Sequence, residues 1–499
     1  MRFTIQNLIQ LSIVCGLIII ISCANDSDPD QNPVLEIALT VNKDSVPNGN
    51  TDTTIVNLDR TIEIYTNNCG GCHGQQMESF IKSDWLYGNS VSEINRSIKA
   101  GYENNGMPAY GNTLTEQEIS DLSKYLIQET KGKTLESLYA DNPDFSALIS
   151  SDELDFKVET ITDAIDGTPW GITQLPNGGD FLVTVLSGKI YRITKSGQLT
   201  AISGVPEVKV GGQGGLLDIT LHPDFSNNDY IYISYSGKNP DNSAQSATTV
   251  ARAKFQDNSL NDLEVIFTAL PYVNSGRHFG SRVIFGNDGY LYISVGERGK
   301  RDVYPQDLAT AHGKIHRLTD AGEVPDSNPF VDNASAVKSI FVFGNRNPQG
   351  LAIHPVTGAL WEGEHGPKGG DEINIIEAGN NYGWPVISYG VNYNGTSFTD
   401  LTEKEGMEQP IHYWVPSIAP AGMDFIASNY YGHWKHDLFV SSLKFEYLHR
   451  LKMDGNEVVG EEELLKDIGR VRDVQMGSDG YLYIIVQDPG RLLRLVPVE

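Results

Sequence analysis

Two cysteines and a histidine stand together in the stretch NNCGGCHGQQ, residues 67–76. The spacing of Cys69, Cys72 and His73 lets two thiols form thioether bonds to one haem while the imidazole reaches its iron. A zinc site needs further Cys or His ligands nearby, and a thioredoxin-type pair expects a βαβ context. A plain disulfide would not require the histidine. The motif therefore predicts a covalently attached c-type haem.

A second iron ligand is expected from a methionine downstream, which raises the reduction potential of a haem. Met107, in NNGMPAYG, is followed by a proline and is predicted to lie in a loop between two helices. Met77 is too close to the cysteine turn to reach the opposite face of the haem. The alternative for Met107 is a methionine of the hydrophobic core.

Helical signals surround this motif. SVSE at 90–93 and TEQE at 115–118 both fit a capping box, in which a hydroxyl at the N-cap pairs with a glutamate three residues later. Apolar residues follow each box at helical spacing. We expect three short helices within residues 55–132, forming a small all-α domain that the covalent haem would hold together.

The beginning of the chain predicts export. Arg2 precedes an apolar stretch, Leu11–Ile21, of signal-peptide length, and IISC then resembles a bacterial lipobox ending at Cys23. Residues 1–22 are therefore predicted to be a lipoprotein signal peptide, with Cys23 lipidated and residues 23–54 a polar tether. The alternative is an uncleaved anchor. Either way, the body would lie in the cell envelope, periplasm-facing or on the outer membrane. With Cys15 removed by cleavage and Cys23 lipidated, only Cys69 and Cys72 would remain.

The remaining sequence has the pattern of an all-β protein. After a predicted linker, residues 133–155, six short runs each place a turn before an alternating apolar strand, as in NDGYLYISVG and SDGYLYIIVQ. Such repeats predict a six-bladed β-propeller over residues 156–499, and the alternative is a pair of β-sandwiches. The net charge of −27 argues against a nucleic-acid partner.

Polar clusters lie just outside these strand runs, where the loops of several blades would converge. Taken singly, each has a simpler interpretation, because an arginine at a blade end is usually a surface ion pair and a lone histidine is usually structural. In order, the clusters are GGQGGLLD, RHFGSR, GNRNPQGL, EHGPKGGDEIN, NNYGWP and RVRD.

Together, these motifs resemble the glucose/sorbosone dehydrogenase family, the soluble quinoprotein glucose and aldose-sugar dehydrogenases. The resemblance runs from GTPWGI at 167–172 to the C-terminal RLLRL, and residues 55–132 resemble a cytochrome c. It implies a six-bladed propeller that uses pyrroloquinoline quinone (PQQ) and Ca²⁺ to oxidise a sugar.

The resemblance also implies roles for individual residues. His278 would be the general base for the anomeric hydroxyl, and Arg346 would stabilise negative charge on the quinone oxygen. Gln213 and Asn347 would orient the quinone. Three cations would bind its carboxylates, and two backbone carbonyls would hold Ca²⁺. These are Lys444, Arg470 and Arg472 for the carboxylates, and Gly366 and Pro367 for the ion.

Two positions depart from the family pattern. Arg277 precedes the base, where well-known glucose enzymes carry an aspartate, so glucose itself is in doubt as the substrate. The stretch VISYGVNYNG after NYGWP offers no obvious carboxylate for a second, structural Ca²⁺ site.

The sequence therefore predicts a lipid-anchored quinohaemoprotein that oxidises an aldose to a lactone. Electrons would pass through the haem to a cytochrome or the respiratory chain. One alternative is a non-catalytic propeller that binds a glycan or a protein. Another is the same redox chemistry on a sorbosone-like aldehyde or a polyol.

Overall fold

A computed structural model of the chain describes residues 54–82, 85–102, 106–138, 144–487 and 489–498. The predicted signal peptide, the lipidation site Cys23 and nearly all of the predicted tether lie outside these residues. Among the described helices, none has both the length and the apolar character that crossing a bilayer requires.

The N-terminal part is helical, as predicted, but it is cut into more pieces than expected. Three helices correspond to the three predicted ones. Two one-turn helices are additional: one ends at the histidine of the cysteine motif, and the other follows it in the chain. The extra pieces arise because the CGGCH stretch itself coils into a turn of helix. The helices are α1 (Leu58–Asn68), α2 (Gly70–His73), α3 (Glu78–Lys82), α4 (Val91–Ala100), α5 (Glu116–Thr130) and, after them, α6 (Leu135–Leu138).

Both predicted capping boxes are present. The Thr115 hydroxyl accepts a hydrogen bond from Glu118 N (3.2 Å), and the Glu118 carboxylate accepts one from Thr115 N (2.8 Å). Ser90 and Glu93 form the same reciprocal pair at the start of α4. The apolar residues that follow each box are buried in one small core. It includes Ile64, Tyr65, Met77, Ile94, Ile98, Ile119, Leu122 and Leu126.

The rest of the chain forms six antiparallel sheets, which confirms the six-bladed propeller. The first three blades are β3 (Pro169–Gln174), β4 (Phe181–Val185), β5 (Lys189–Ile193), β6 (Leu199–Ala201); β7 (Leu216–Leu221), β8 (Tyr230–Asn239), β9 (Asn242–Gln256), β10 (Ser259–Thr268); and β11 (Val283–Phe285), β12 (Leu291–Val295), β13 (Lys314–Leu318), β14 (Ile340–Phe343). A one-turn helix, α7 (Phe225–Asn228), precedes β8.

The next two blades are β15 (Pro348–Ile353), β16 (Leu360–Glu364), β17 (Asp371–Ile376), β18 (His412–Trp414); and β19 (Pro420–Phe425), β20 (Leu438–Ser442), β21 (Leu448–Asp454), β22 (Glu457–Leu464). A 3₁₀ segment, Asn429–Trp434, precedes β20. The sixth blade combines both ends of the propeller: β23 (Arg470–Met476), β24 (Leu482–Gln487), β25 (Gly490–Val498), β2 (Asp155–Ile165) and β1 (Ile149–Ser150).

The repeated run that predicted the propeller is the second strand of every blade, namely β4, β8, β12, β16, β20 and β24. This strand lies between two others of its own sheet. In five of the six blades, all but the second, it is buried at every position, so both of its faces are covered. The ring closes where β2 pairs with β25, from Asp155 opposite Val498 onward. Part of the predicted linker therefore belongs to this sheet, since Ile149 pairs with Phe156.

A buried arginine joins the first strands of the blades around the centre. Arg282 Nη1 lies 2.9 Å from Asp218 Oδ1 on β7 and 2.8 Å from Asp473 Oδ2 on β23. Arg282 Nε donates to the carbonyl of Gln349 on β15 (2.7 Å), and Ile172 N on β3 donates to Asp473 (3.1 Å). This network fixes the strands whose ends carry the predicted site.

Candidate active site

His278 lies in the loop before β11 and forms a hydrogen-bonded pair with Glu297, which follows β12. Both side chains are buried. Burial, followed by the charge of Arg346, lowers the pKa of His278 to about 4. For Glu297, burial opposes ionisation, but the charge and the hydrogen bond of His278 outweigh it and lower the pKa. The pair is therefore a neutral imidazole and a carboxylate, with Nδ1–H donating to Glu297, which leaves Nε2 able to accept a proton.

The backbone around His278 is held from several sides. Its N–H donates to Gln213 Oε1 (2.7 Å), and its φ of 56° is in the left-handed region. Arg298 donates to the carbonyls of Arg277 (2.7 Å) and Ser275 (2.6 Å), and its guanidinium lies over the Phe279 ring. Such strain is kept only where surrounding contacts enforce it.

Glu297 and Arg298 are site residues that the sequence analysis missed. The signal that could have found them is GER directly after the apolar strand YLYISV, at the same end of the blade as the RHFGSR motif. Glu297 N also donates to the carbonyl of Arg346 (2.8 Å), so the base and the next predicted residue are joined through this glutamate.

Arg346 and Asn347 follow β14 and share one anchor. Their backbone N–H groups donate to Glu364 Oε2 at 2.6 and 3.2 Å. Arg346 Nη1 donates to the carbonyl of His365 (2.7 Å), and the guanidinium lies 5.4 Å from the centre of the Trp384 ring. Asn347 Oδ1 accepts from Gly280 N (3.1 Å), whereas its Nδ2 is buried with no acceptor among the described residues.

The three predicted carboxylate-binding cations lie in the fifth and sixth blades. Arg470 Nη1 donates to the carbonyl of Leu443 (2.8 Å), and Arg472 Nη1 donates to Gln349 Oε1 (2.9 Å). Burial lowers the pKa of the Lys444 ammonium, which has no carboxylate within 4 Å in the part of the chain that the structure describes. Arg470 is thus bound by an uncharged oxygen, and Lys444 Nζ lies 4.6 Å from the centre of the Phe445 ring, so both could bind an anion.

Gly366 and Pro367 follow β16. Gly366 N donates to Asp371 Oδ1 (2.7 Å), and the Asp371 carboxylate also accepts from Ser417, Ile418 and Ala419. No described residue donates to the carbonyl oxygens of Gly366 or Pro367. The described residues contain no cluster of three or more His, Cys, Asp or Glu side chains suited to a metal, so a cation here would be bound by carbonyls.

A cavity of about 610 Å³ opens beside His278. His278, Glu297, Arg346, Pro367 and Trp384 line it from the propeller. Its other wall comes from the helical domain, whose segment Pro108–Tyr110 lines the same cavity. Lys444, Arg470 and Arg472 do not line it, and Gln213 contacts it only through His278. The structure therefore brings together the predicted base, Arg346 and the loop that carries Met107.

The CGGCH turn, predicted to bind haem, contacts the propeller at the predicted cations. Gly71, between the two cysteines, accepts a hydrogen bond from Arg470 Nη1 (3.3 Å). Lys368 Nζ lies 3.5 Å from Asn68 Oδ1. His73 stacks on Phe80, 4.5 Å between ring centres, and burial, then Arg470, lowers its pKa to about 4. A neutral imidazole is the form that binds iron.

The other predicted iron-site residues are also in this domain. Cys69 and Met107 pack against the helical core. The Met107 N–H donates to the carbonyl of Tyr102 (3.1 Å), and Tyr102 N donates back to Met107 (2.8 Å). For Cys72 the structure describes only the backbone, which belongs to α2. The structure thus places the histidine and methionine in one small core, as a haem pocket requires.

Comparison with known proteins assigns both parts of the chain. Residues 166–494 match the family model described as Glucose / Sorbosone dehydrogenase. The chain belongs to the glucose/sorbosone dehydrogenase family. Residues 57–126 match the model of Cytochrome C oxidase, cbb3-type, subunit III, so this family member carries an N-terminal cytochrome c domain.

Named relatives agree with this assignment. The chain is 40% identical over 345 residues to Aldose sugar dehydrogenase YliI of Escherichia coli (strain K12), covering 68% of this chain and 92% of the relative. The crystal structure of the soluble aldose sugar dehydrogenase from Escherichia coli, in the apo-form, aligns with a TM-score of 0.65 at 37% identity, covering 69% of this chain and all (100%) of that one. The PQQ-bound aldose sugar dehydrogenase from Streptomyces coelicolor aligns with a TM-score of 0.56 at 26% identity, covering 70% and 100%.

Proposed function

We propose that this chain is a quinohaemoprotein that oxidises an aldose at its anomeric hydroxyl, giving a lactone, and passes the electrons through its own c-type haem. One observation carries the proposal. The His278–Glu297 pair faces a cavity whose opposite wall is the loop next to the predicted iron ligand Met107. A proton acceptor for sugar oxidation and an electron carrier therefore meet at one place.

The residues present fit PQQ. Among the described residues, the buried donor Asn347 Nδ2 has no acceptor, and the half-buried Lys444 ammonium has no carboxylate within 4 Å. Arg470 and Arg472 add two guanidinium forks, which suit the planar carboxylates of this cofactor. When bound, PQQ supplies a carbonyl carbon that accepts two electrons as a hydride equivalent, and Ca²⁺ polarises that carbonyl. The carbonyls of Gly366 and Pro367, which accept no other hydrogen bond from described residues, would bind the ion.

The chain's own residues provide the rest of the chemistry. His278 Nε2 takes the proton of the anomeric hydroxyl, and Glu297 holds Nδ1–H so that the lone pair stays on Nε2. The Arg346 guanidinium, fixed by the His365 carbonyl, stabilises negative charge that develops in the cavity. The side-chain oxygen of Gln213 accepts a hydrogen bond from the backbone N–H of His278 and so fixes that backbone. The amide NH₂ of Gln213 would bind the cofactor.

The cytochrome domain would relay electrons singly. Cys69 and Cys72 would attach the haem, with His73 and Met107 as axial ligands. Arg470 supports this route, because one guanidinium belongs to the proposed cofactor site and also donates to Gly71 within the haem motif. Arg470 therefore connects the proposed cofactor site with the turn that would bind the haem.

We also propose where this oxidation takes place. The lipobox before Cys23 and the apolar stretch Leu11–Ile21 support export and a lipid anchor in the cell envelope. Electrons would then leave the haem for a cytochrome or another component of the respiratory chain.

The test uses purified full-length protein with haem in place. PQQ and Ca²⁺ are added, followed by a panel of aldoses, and haem absorbance is recorded. We expect haem reduction only when sugar and both additives are present. If PQQ does not bind, the propeller is a binding module for a glycan or protein. If PQQ binds but no aldose reduces the haem, a sorbosone-like aldehyde or a polyol is the substrate to examine.

A further inference from the structure

The cavity beside His278 is unusually cationic for this protein, whose net charge is −27. Four basic side chains line it, but only two acidic side chains do. Each of the two carboxylates already accepts a hydrogen bond from a neighbouring residue. Glu297 accepts from His278, and Asp302 pairs with Arg301 at 2.9 and 3.1 Å. The two basic residues that remain, besides Arg346, are Arg277 and Lys300.

No described residue accepts a hydrogen bond from the Arg277 guanidinium. Its Nε is buried, and no described residue supplies a hydrogen-bond acceptor or a carboxylate to the side chain. A Cβ at Gly299 would lie 2.5 Å from this nitrogen, and a Cβ at Gly106 would lie 3.5 Å from Arg277 Cβ. The side chain is thus clamped between the two domains at the cavity wall. Burying a donor without an acceptor is unfavourable, and a ligand that supplies the acceptor would offset this penalty.

Lys300 provides a second free cation on the same wall. Its N–H donates to the carbonyl of Glu297 (3.0 Å), so its backbone is tied to the partner of the base. Its side chain is exposed, and its ammonium has no ion-pair partner in the described part of the chain. A flexible ammonium beside a fixed guanidinium fork is a suitable arrangement for an anionic oxygen group.

We propose that the aldose oxidised at this site carries an acidic group, a carboxylate or a phosphate ester, that Arg277 binds with help from Lys300. The proposal rests on the proposed function. The acidic group takes no part in the reaction: the hydrogen on the anomeric carbon would leave as a hydride to the quinone, and the hydroxyl proton would go to His278. Because Arg277 directly precedes His278 in the chain, one end of the sugar would be fixed while its anomeric carbon faces the base.

The experiment compares matched sugars on the full-length holoenzyme at low salt. Glucuronate is compared with glucose, and galacturonate with galactose. Glucose 6-phosphate is compared with both glucose and glucuronate. The quantity compared is kcat/KM for haem reduction. We expect at least one acidic sugar to be preferred by about tenfold or more. The preference should fall as salt is added. The uronates and the phosphate ester distinguish a carboxylate from a phosphate site.

Arg277→Gln should remove most of that preference, mainly through KM. Arg277→Lys keeps the positive charge but not the planar guanidinium, and it should retain part of the preference for acidic sugars. Arg96→Gln makes the same charge change on an exposed residue of α4 and should leave the preference unchanged. The haem spectrum and the melting temperature report whether each variant is folded.

Equilibrium binding separates this inference from the proposed function. Calorimetric titration of uronate into dithionite-reduced holoenzyme measures binding without turnover, and Arg277→Gln should weaken it about tenfold. Binding that depends on Arg277 supports the acid site even if no sugar is oxidised. If acidic and neutral sugars have equal kcat/KM and bind equally well, the proposed acid-binding site is overturned, whereas the proposed sugar dehydrogenase function still stands. An altered haem reduction potential with unchanged sugar preference assigns Arg277 to a haem propionate and also overturns it.

Discussion

Two clusters of buried polar groups differ in how completely they are satisfied. At the centre of the propeller, Arg282 is bound by two carboxylates and two carbonyls, from Asp218, Asp473, Gln349 and Arg472. In the cavity wall and directly behind it, several buried polar atoms have no partner among the described residues. They are Arg277 Nε, Glu297 Oε2, Asn347 Nδ2, His365 Nε2 and Trp384 Nε1.

The comparison separates structure from function within one fold. Native proteins leave few buried polar atoms without partners, and each such atom asks for an explanation. A network that satisfies itself, like that of Arg282, needs nothing from outside. A network with unused donors and acceptors is prepared for molecules that the protein itself does not supply.

The largest expected effect is on catalysis. His278→Ala removes the proton acceptor and should lower the turnover number by about 10²- to 10⁴-fold, measured as stopped-flow haem reduction by sugar. PQQ content and melting temperature should not change. His433→Ala, in the exposed part of the 3₁₀ segment, is the matched control and should keep full turnover. Near-normal turnover of His278→Ala would remove this residue as the base.

The next effect is on stability. Arg282→Met leaves Asp218 and Asp473 buried without their cation and should lower the free energy of unfolding by about 3–5 kcal/mol in urea titrations. Arg192→Met breaks a more exposed pair with Asp180 (2.7 Å) and should cost no more than about 1 kcal/mol. If both changes cost the same, the central network is not the structural element that we infer.

A smaller effect should come from the wall that the helical domain contributes. Ala109→Trp places a large side chain in the cavity and should raise the KM for sugar about tenfold. The haem spectrum should show that the neighbouring Met107 still binds iron. Ala100→Trp, at the exposed end of α4, makes the same substitution away from the cavity. A KM that is equal in the two variants would show that the sugar does not approach this loop.

The smallest effect concerns pH. Since the pKa of His278 is lowered to about 4, the imidazole is already neutral at pH 6. The value of kcat/KM should therefore vary little between pH 6 and 8 and fall only as the pH approaches about 4. Glu297→Gln removes an interaction that raises this pKa, so the fall should move to lower pH. A fall centred near the ordinary histidine value of about 6.5 would contradict the assigned environment.

Local signals in the sequence predicted much of the fold. The capping boxes at Ser90 and Thr115 predicted the starts of two helices, because each depends only on neighbours three residues apart. The repeated turn and apolar run predicted the second strand of each blade, but the alternation in that run did not predict that both faces would be buried. The number of blades followed from counting these runs.

The sequence could not predict contacts that form between distant segments. Glu297 was missed because its role depends on His278, which reaches it only through the packing of two loops. Likewise, no pattern in NNGMPAYG indicates that Pro108 would face Arg346 across a cavity. Docking of one domain on another depends on surface shape, which periodicity and spacing do not encode.

The closure of the ring by β2 has a kinetic consequence. The chain passes from the cytochrome domain directly into β1 and β2, which join the sheet whose β23 carries Arg470 and Arg472. Under the proposed function, the electron donor and its first acceptor would therefore be parts of one tethered molecule, and each would meet the other at a high effective concentration. Dilution that would slow a diffusing cytochrome should leave this internal transfer at the same rate.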